Sequence, residues 1–218
     1  MNVKTRKLVT LAMLSALAYV VMLVGRLPIT PVAFLEYDPK DIIIVIGGFL
    51  FGPLSSALMS IVVSLVEMVT VSDTGVIGLV MNILSTCSFA CVAAAIYKHR
   101  PTLKNAVIGL LCGLAAMTGI MLLWNYFITP LYMGVTRQEV AGMLLPIFLP
   151  FNVLKGGLNM AVAMLIYKPV VGALRKARLV PPSEHKTQGR SRSLGTILVA
   201  FVLLATCVLS VLVFRGII

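Results

Sequence analysis

The chain has 218 residues, of which 60% are hydrophobic and only 11% charged; its mean hydropathy is +1.05 and its formal net charge +11. A water-soluble domain is nearer half apolar and a quarter charged, so this composition excludes a disordered tail, a coiled coil and a disulfide scaffold. At about 20 apolar residues per span, the length accommodates six or seven membrane helices and leaves no room for a soluble catalytic domain of ordinary size.

The first apolar run, Leu8 to Leu27, follows Lys4, Arg6 and Lys7. It lacks a small-residue cleavage site and further spans follow, so it reads as a membrane helix and not a signal peptide. A loop, PITPVAFLEYDPKD, leads to a run of about ten residues, Ile42 to Phe51, that stops at Gly52-Pro53 before a further run from Leu54 to about Val71. Gly-Pro is a turn signal, and the residue before a proline disfavours helix, so two helices are expected here, the first of them short. After VSDTG come a run from Val76 to Tyr97, the basic loop KHRPTLKN, a fifth run from Ala106 to about Ile128 and a polar loop at 129–139. A sixth run reaches from near Gly142 to Val171, a basic stretch with two prolines follows, and a seventh run covers Thr196 to Phe214. The expected organisation is an all-α membrane domain of six helices (1–175), a basic cytoplasmic linker (176–193) and an additional C-terminal membrane helix (194–218).

Charge sets the expected orientation. The N-terminal segment, the 98–104 loop and the 168–192 stretch carry 3, 3 and 7 of the Lys and Arg residues. Placing them in the cytoplasm satisfies the positive-inside rule, puts the N-terminus inside a plasma membrane and requires 42–71 to cross twice. Glu36, Asp38, Asp41, Asp73 and Glu139 then fall in or beside external loops. Cys87, Cys91, Cys112 and Cys207 all lie in apolar runs without CxxC spacing and read as small buried hydrophobes. His99 and His185 sit in basic segments, so no metal site is expected.

Polar groups at lipid depth are expensive, roughly 2.5–3.5 kcal/mol for an ionisable group at a helix centre, so their positions are informative. Glu67, Asn82, Asn125, Asn152 and Lys155 all fall near the outer ends of their helices under this orientation, with Asn152 and Lys155 three apart on one face. The inner half carries small residues at helix-packing spacing: Ala12 and Ala16, Gly48 and Gly52, and Ala93 to Ala95. The pattern describes a cup that opens outward over a packed base, suited to a water-soluble ligand held by hydrogen bonds. Structural alternatives stand beside each signal. Lys155 snorkels or pairs with Glu67; Asn125 caps its helix near Thr129-Pro130; Asn82 and Asn152 bond across helices; Trp124, Tyr126 and Tyr132 form an interfacial belt. No phosphate-binding GxxxxGK[ST], HExxH or GxSxG motif is present, so the chain is expected not to be an enzyme and to depend on a partner if it concentrates a solute.

Three segments carry a family resemblance: FLEYDPKDIIIVIGGFLFGP (34–53), WNYFITPLY (124–132) and LPFNVLKGGLN (149–159). In order and spacing they resemble the first external loop and second helix, the fifth helix and the sixth helix of the riboflavin-specific S components of energy-coupling factor (ECF) transporters. The resemblance covers about residues 8–175. It implies a six-helix fold that binds the vitamin at the outer face, with flavin contacts at Asn125, Asn152 and Lys155. Tyr37 and its loop, Glu67 and Asn82 are candidates for the ribityl chain, and Phe34, Leu35 and Tyr126 for the apolar walls. It further implies a transmembrane coupling protein contacted through Ala12 and Ala16, two ABC-type ATPases that supply energy, toppling of the subunit in the membrane, and no cofactor other than the transported riboflavin. The rival expectations are an S component for another vitamin or heterocycle, and a membrane scaffold whose polar cluster only joins helices. The last span lies outside the resemblance and is open to roles as lid, anchor or docking helix.

Overall fold

The computed structural model describes residues 2–28, 35–72, 74–180 and 190–214. They form eight α-helices and a two-residue antiparallel pairing, β1 (Leu27–Pro28) with β2 (Glu36–Tyr37), in the register Leu27 opposite Tyr37. The helices are α1 (Val3–Gly25), α2 (Lys40–Phe51), α3 (Pro53–Thr70), α4 (Gly75–His99), α5 (Leu103–Met133), α6 (Arg137–Met143), α7 (Leu149–Lys176) and α8 (Arg190–Phe214). Among the described residues five segments are long and apolar enough to cross a membrane, α6 and α7 counting as the single segment Arg137–Lys176, and α8 adds a shorter apolar stretch, Ile197–Val213.

Short α2 is the axis of the bundle. Every residue from Lys40 to Gly48 is buried, enclosed by α1, α3, α4 and α7. An apolar helix covered on all sides is what a run such as IIIVIGG predicts, since it has no polar face to present outward. It ends where expected: Gly52, at φ +92°, turns the chain directly into α3, a conformation glycine adopts without the Cβ penalty, and Pro53 occupies the first turn of α3, where its missing N–H costs nothing. The opposite arrangement holds in α1, α4 and α5, which show many large apolar side chains on their outer faces, among them Leu17, Val80 and Leu123, as lipid-facing helices do.

The packed seam between α4 and α5 rests on a small-residue pair beyond those expected from the sequence. A Cβ at Gly113 would sit 2.4 Å from the Phe89 carbonyl oxygen, and one at Gly109 would sit 2.7 Å from that of Ala93. GLLCG (109–113) is therefore a close-approach motif of the GxxxG kind. Gly48 packs in the same way against Ala94 and Ser56. By contrast, Ala12 and Ala16 are exposed on α1.

Several boundaries differ from expectation. The fifth helix continues through Pro130 to Met133, so residues 129–133 are helix and not loop. The expected sixth run begins earlier, at Arg137, under a capping box in which Thr136 and Glu139 bond each other's backbone N–H groups. It is then interrupted by one turn of π-helix, Leu144–Phe148. Pro146 within that turn and Pro150 just after it each remove a backbone donor, and an i→i+5 turn absorbs the disrupted ladder. The last helix starts at Arg190, inside the stretch expected to be linker. Of the four cysteines only Cys207 is buried; Cys87 and Cys91 are half-buried and Cys112 is exposed, and all four are free thiols.

Candidate functional site: a polar cavity at one end of the bundle

One end of the bundle opens into a cavity with about 960 Å³ of atom-free space, its mouth included. The C-terminal end of α1, the β-pair, the end of α3, the start of α4, the end of α5 and the first turns of α7 converge there. Glu67, Asn82, Asn125, Asn152, Lys155 and Leu35 all line it, so polar groups from α3, α4, α5 and α7 meet in one cavity. Arg26, Glu36, Asp38, Ser85, Tyr132 and Phe151 line it as well; Glu36 and Asp38 belong to the loop expected to meet the ribityl chain, and the other four were not among the ligand candidates.

The two asparagines are held by their own helices. Asn125 Nδ2 donates to the Met121 carbonyl at 2.7 Å, and its Oδ1 accepts from Thr129 Oγ1 at 2.8 Å. Asn125 is thus an interior helix residue anchored one turn up and one turn down, and the expectation that it caps the helix end is overturned by the continuation of α5. Asn152 Nδ2 donates to the Phe148 carbonyl at 2.8 Å, at the edge of the π turn. A primary amide carries two N–H donors and an oxygen with two lone pairs. After these intrahelical bonds each side chain still has a donor and an acceptor to offer the cavity, while its rotamer is fixed.

The charged groups form a buried network. Lys40, at the start of α2, is fully buried and ion-paired to both Asp38 and Glu67. Glu67 therefore pairs with Lys40 and not with Lys155, because the first turn of α2 delivers an ammonium directly between the two carboxylates. Lys155 Nζ instead lies 3.9 Å from Asp41 Oδ2. Asp41 is fully buried and accepts from Thr86 Oγ1 at 2.6 Å and from Asn159 Nδ2 at 3.3 Å. Tyr37 OH donates to Asn159 Oδ1 at 3.0 Å, and the mouth carries an Arg26–Glu36 pair. Asp38 and Asp41, assigned to external loop by charge counting, are interior groups. Burial by itself would raise the Asp38 pKa, but the ammonium groups of Lys40 and Lys155 outweigh it and hold the carboxyl below its usual range. Burial, then Asp41 and Asp38, push the Tyr37 hydroxyl up, so it remains a hydrogen-bond donor at neutral pH.

Two candidates sit elsewhere. Tyr37 turns away from the cavity toward Asn159. Tyr126 packs edge-on against Phe127 with ring centroids 5.0 Å apart and is not part of the cavity lining, for which Tyr132 and Phe151 supply aromatic surface instead. Phe34 lies outside the described residues. Lys40 and Asp41 were overlooked because they adjoin a Pro-rich loop and read there as solvated charge; the hint was their position immediately before an apolar run with no polar face.

Helices of spanning length around a polar cavity at one end of the bundle define a multi-pass membrane protein. The comparison with known proteins makes this specific. Residues 6–167 match the family of ECF transporter substrate-specific components, and the chain belongs to that family: it is a transport component and not an enzyme. It is 30% identical to the riboflavin transporter RibU of Staphylococcus aureus, over 79% of this chain and 94% of that one. Against the riboflavin transporter FmnP of Bacillus subtilis it is likewise 30% identical, over 81% of this chain and 99% of the relative. A solved S component of a bacterial ECF transporter aligns with a TM-score of 0.67 and 29% identity, covering 79% of this chain and 99% of its own. The end of α7 and all of α8 lie beyond the family match.

Proposed function

We propose that the chain captures riboflavin at the outer face of a prokaryotic cell membrane and passes it inward as the substrate-binding subunit of an ATP-driven ECF transporter. The observation that carries this reading is the convergence of Asn125, Asn152 and Lys155 on one cavity. Two amides with donor and acceptor capacity and one ammonium donor suit the imide N–H and carbonyl oxygens along one edge of an isoalloxazine ring. Leu35, Phe151 and Met121 offer apolar surface for the ring faces, and Glu67 and Asn82 suit the ribityl hydroxyls. The names of the relatives point to the same ligand.

The opposite end of the bundle carries Arg6, Lys7, Lys98, Lys104 and Arg175, and the positive-inside rule places that end, with the N-terminus, in the cytoplasm. The exposed Ala12 and Ala16 on α1 give a shallow face on which a transmembrane coupling protein can sit closely, with two ABC-type ATPases behind it. Residues 1–175 then form the S-component domain, and α8 is an added helix that packs against α7 through Leu203, Leu204, Cys207 and Val211. Titrating the purified protein with riboflavin tests the reading: quenching of flavin fluorescence with saturable, submicromolar affinity is expected, and folded protein that leaves the fluorescence unchanged refutes it.

A further inference from the structure

We infer that Asp41 is a positioning residue for ligand binding: it aims the Lys155 ammonium into the cavity and is itself held by a relay from Thr86, Asn159 and Tyr37. The inference rests on the riboflavin reading and deepens it by assigning a role to a group that lies outside the cavity lining.

The geometry runs across four elements. Lys155 and Asn159 are one helical turn apart on α7 and so share a face. Both address the same carboxylate oxygen of α2, Asp41 Oδ2, the ammonium at 3.9 Å and the amide at 3.3 Å. The other oxygen, Oδ1, is taken by Thr86 Oγ1 of α4 at 2.6 Å. Tyr37 OH, from the segment preceding α2, donates to Asn159 Oδ1 at 3.0 Å; because the Asp41 carboxylate only accepts, the Asn159 N–H₂ faces Asp41 and the amide oxygen is left to the Tyr37 hydroxyl. The carboxylate is thus immobilised from both sides before it meets the lysine.

The separation between Lys155 and Asp41 matters. Lys40 is in direct contact with both of its carboxylates, an arrangement that occupies its donors. Lys155 stands farther from its carboxylate than a hydrogen bond allows, so Asp41 compensates its charge without closing down its N–H groups. A flexible four-carbon stem with three donors needs such a guide to point reproducibly. An ammonium lining the cavity, tethered electrostatically at its back, is organised to donate forward to a ligand carbonyl.

The test is a double-mutant cycle on the full-length protein in detergent, read by the riboflavin dissociation constant from fluorescence quenching. Asp41→Asn keeps the shape and removes the charge; it is expected to weaken binding about tenfold, the scale of one charge-assisted hydrogen bond. In the Lys155→Met background the same change is expected to shift the constant by less than about twofold, because a residue acting through another loses its effect once that other is gone. Thr86→Val, which frees Asp41 Oδ1 without touching the cavity lining, is expected to show the same dependence on Lys155 and carries the test if Asp41→Asn does not fold. Losses that add in the double variants, or an unchanged constant in Asp41→Asn or Lys155→Met, overturn the inference while leaving riboflavin binding by the parent protein intact. Absence of binding by the parent protein overturns the functional reading, and this inference with it.

Discussion

At the cavity end of the bundle, Lys40, Asp38, Glu67, Asp41, Lys155 and Asn159 are all buried and joined by ion pairs and hydrogen bonds. Toward the other end, Gly48, Gly109, Gly113, Ala93 and Ala94 bring helix backbones into near contact with almost no polar chemistry between them. Both arrangements hold helices together, but they respond differently to change. A charge network is specific and unforgiving, since removing one member strands the others in low dielectric. A small-residue seam is tolerant of charge conditions and intolerant only of added volume.

The comparison can be broken most severely at Lys40. Lys40→Met leaves Asp38 and Glu67 buried without their cation, and is expected to destabilise the fold by about 3–5 kcal/mol, seen as a large fall in melting temperature in detergent together with loss of ligand binding. Volume added to the seam should separate stability from recognition. Gly113→Val or Gly109→Val drives a methyl group into the α4 backbone and is expected to cost about 1–3 kcal/mol of stability, while the fraction that folds keeps its affinity for riboflavin; a selective loss of affinity would show that the two ends are not independent.

Asn125→Ala sharpens the contrast from the other side. Among the described residues its side chain bonds only within α5, so the melting temperature of the empty protein should change little while riboflavin affinity falls by about 1–3 kcal/mol, measured by titration. Smaller still is the effect of pH. Asp38 has a pKa below its unfolded value, so its pairing stabilises the fold fully above an unfolded pKa of about 3.9 and is lost as pH falls through the lower folded value. Melting temperature should be flat from about pH 5 to 8 and drop below about pH 4, less steeply in Asp38→Asn. Finally, Ala12→Leu and Ala16→Leu lie on an exposed face and should alter stability by less than about 0.5 kcal/mol and leave binding unchanged, yet abolish uptake in cells that carry the energising module.

Much of the fold was legible because lipid imposes simple rules. Apolar runs gave the spans, Gly52-Pro53 gave the break between α2 and α3, and polar outliers within the runs gave Glu67, Asn82, Asn125, Asn152 and Lys155, all of which meet in the cavity. What escaped was chemistry that depends on partners. Nothing in the local sequence distinguishes Lys40 and Asp41 from solvated loop charges; only α2 packed at the centre of the bundle buries them. The pairing of Glu67 with Lys40 and the turning away of Tyr37 are likewise settled by which helix lies next to which. The π turn depends on how α6 and α7 compromise around Pro146 and Pro150, and a run of apolar residues conceals it. GLLCG carries its close-approach spacing openly in the sequence, but only its contact with the Phe89 and Ala93 carbonyls distinguishes it from the other small-residue pairs.

The most direct measurement is a structure of the chain with riboflavin bound. The account predicts the isoalloxazine edge within hydrogen-bonding distance of Asn125, Asn152 and the Lys155 ammonium, with Lys155 still beside Asp41. A flavin seated outside this cavity, or one in it with those three side chains turned away, would contradict the account.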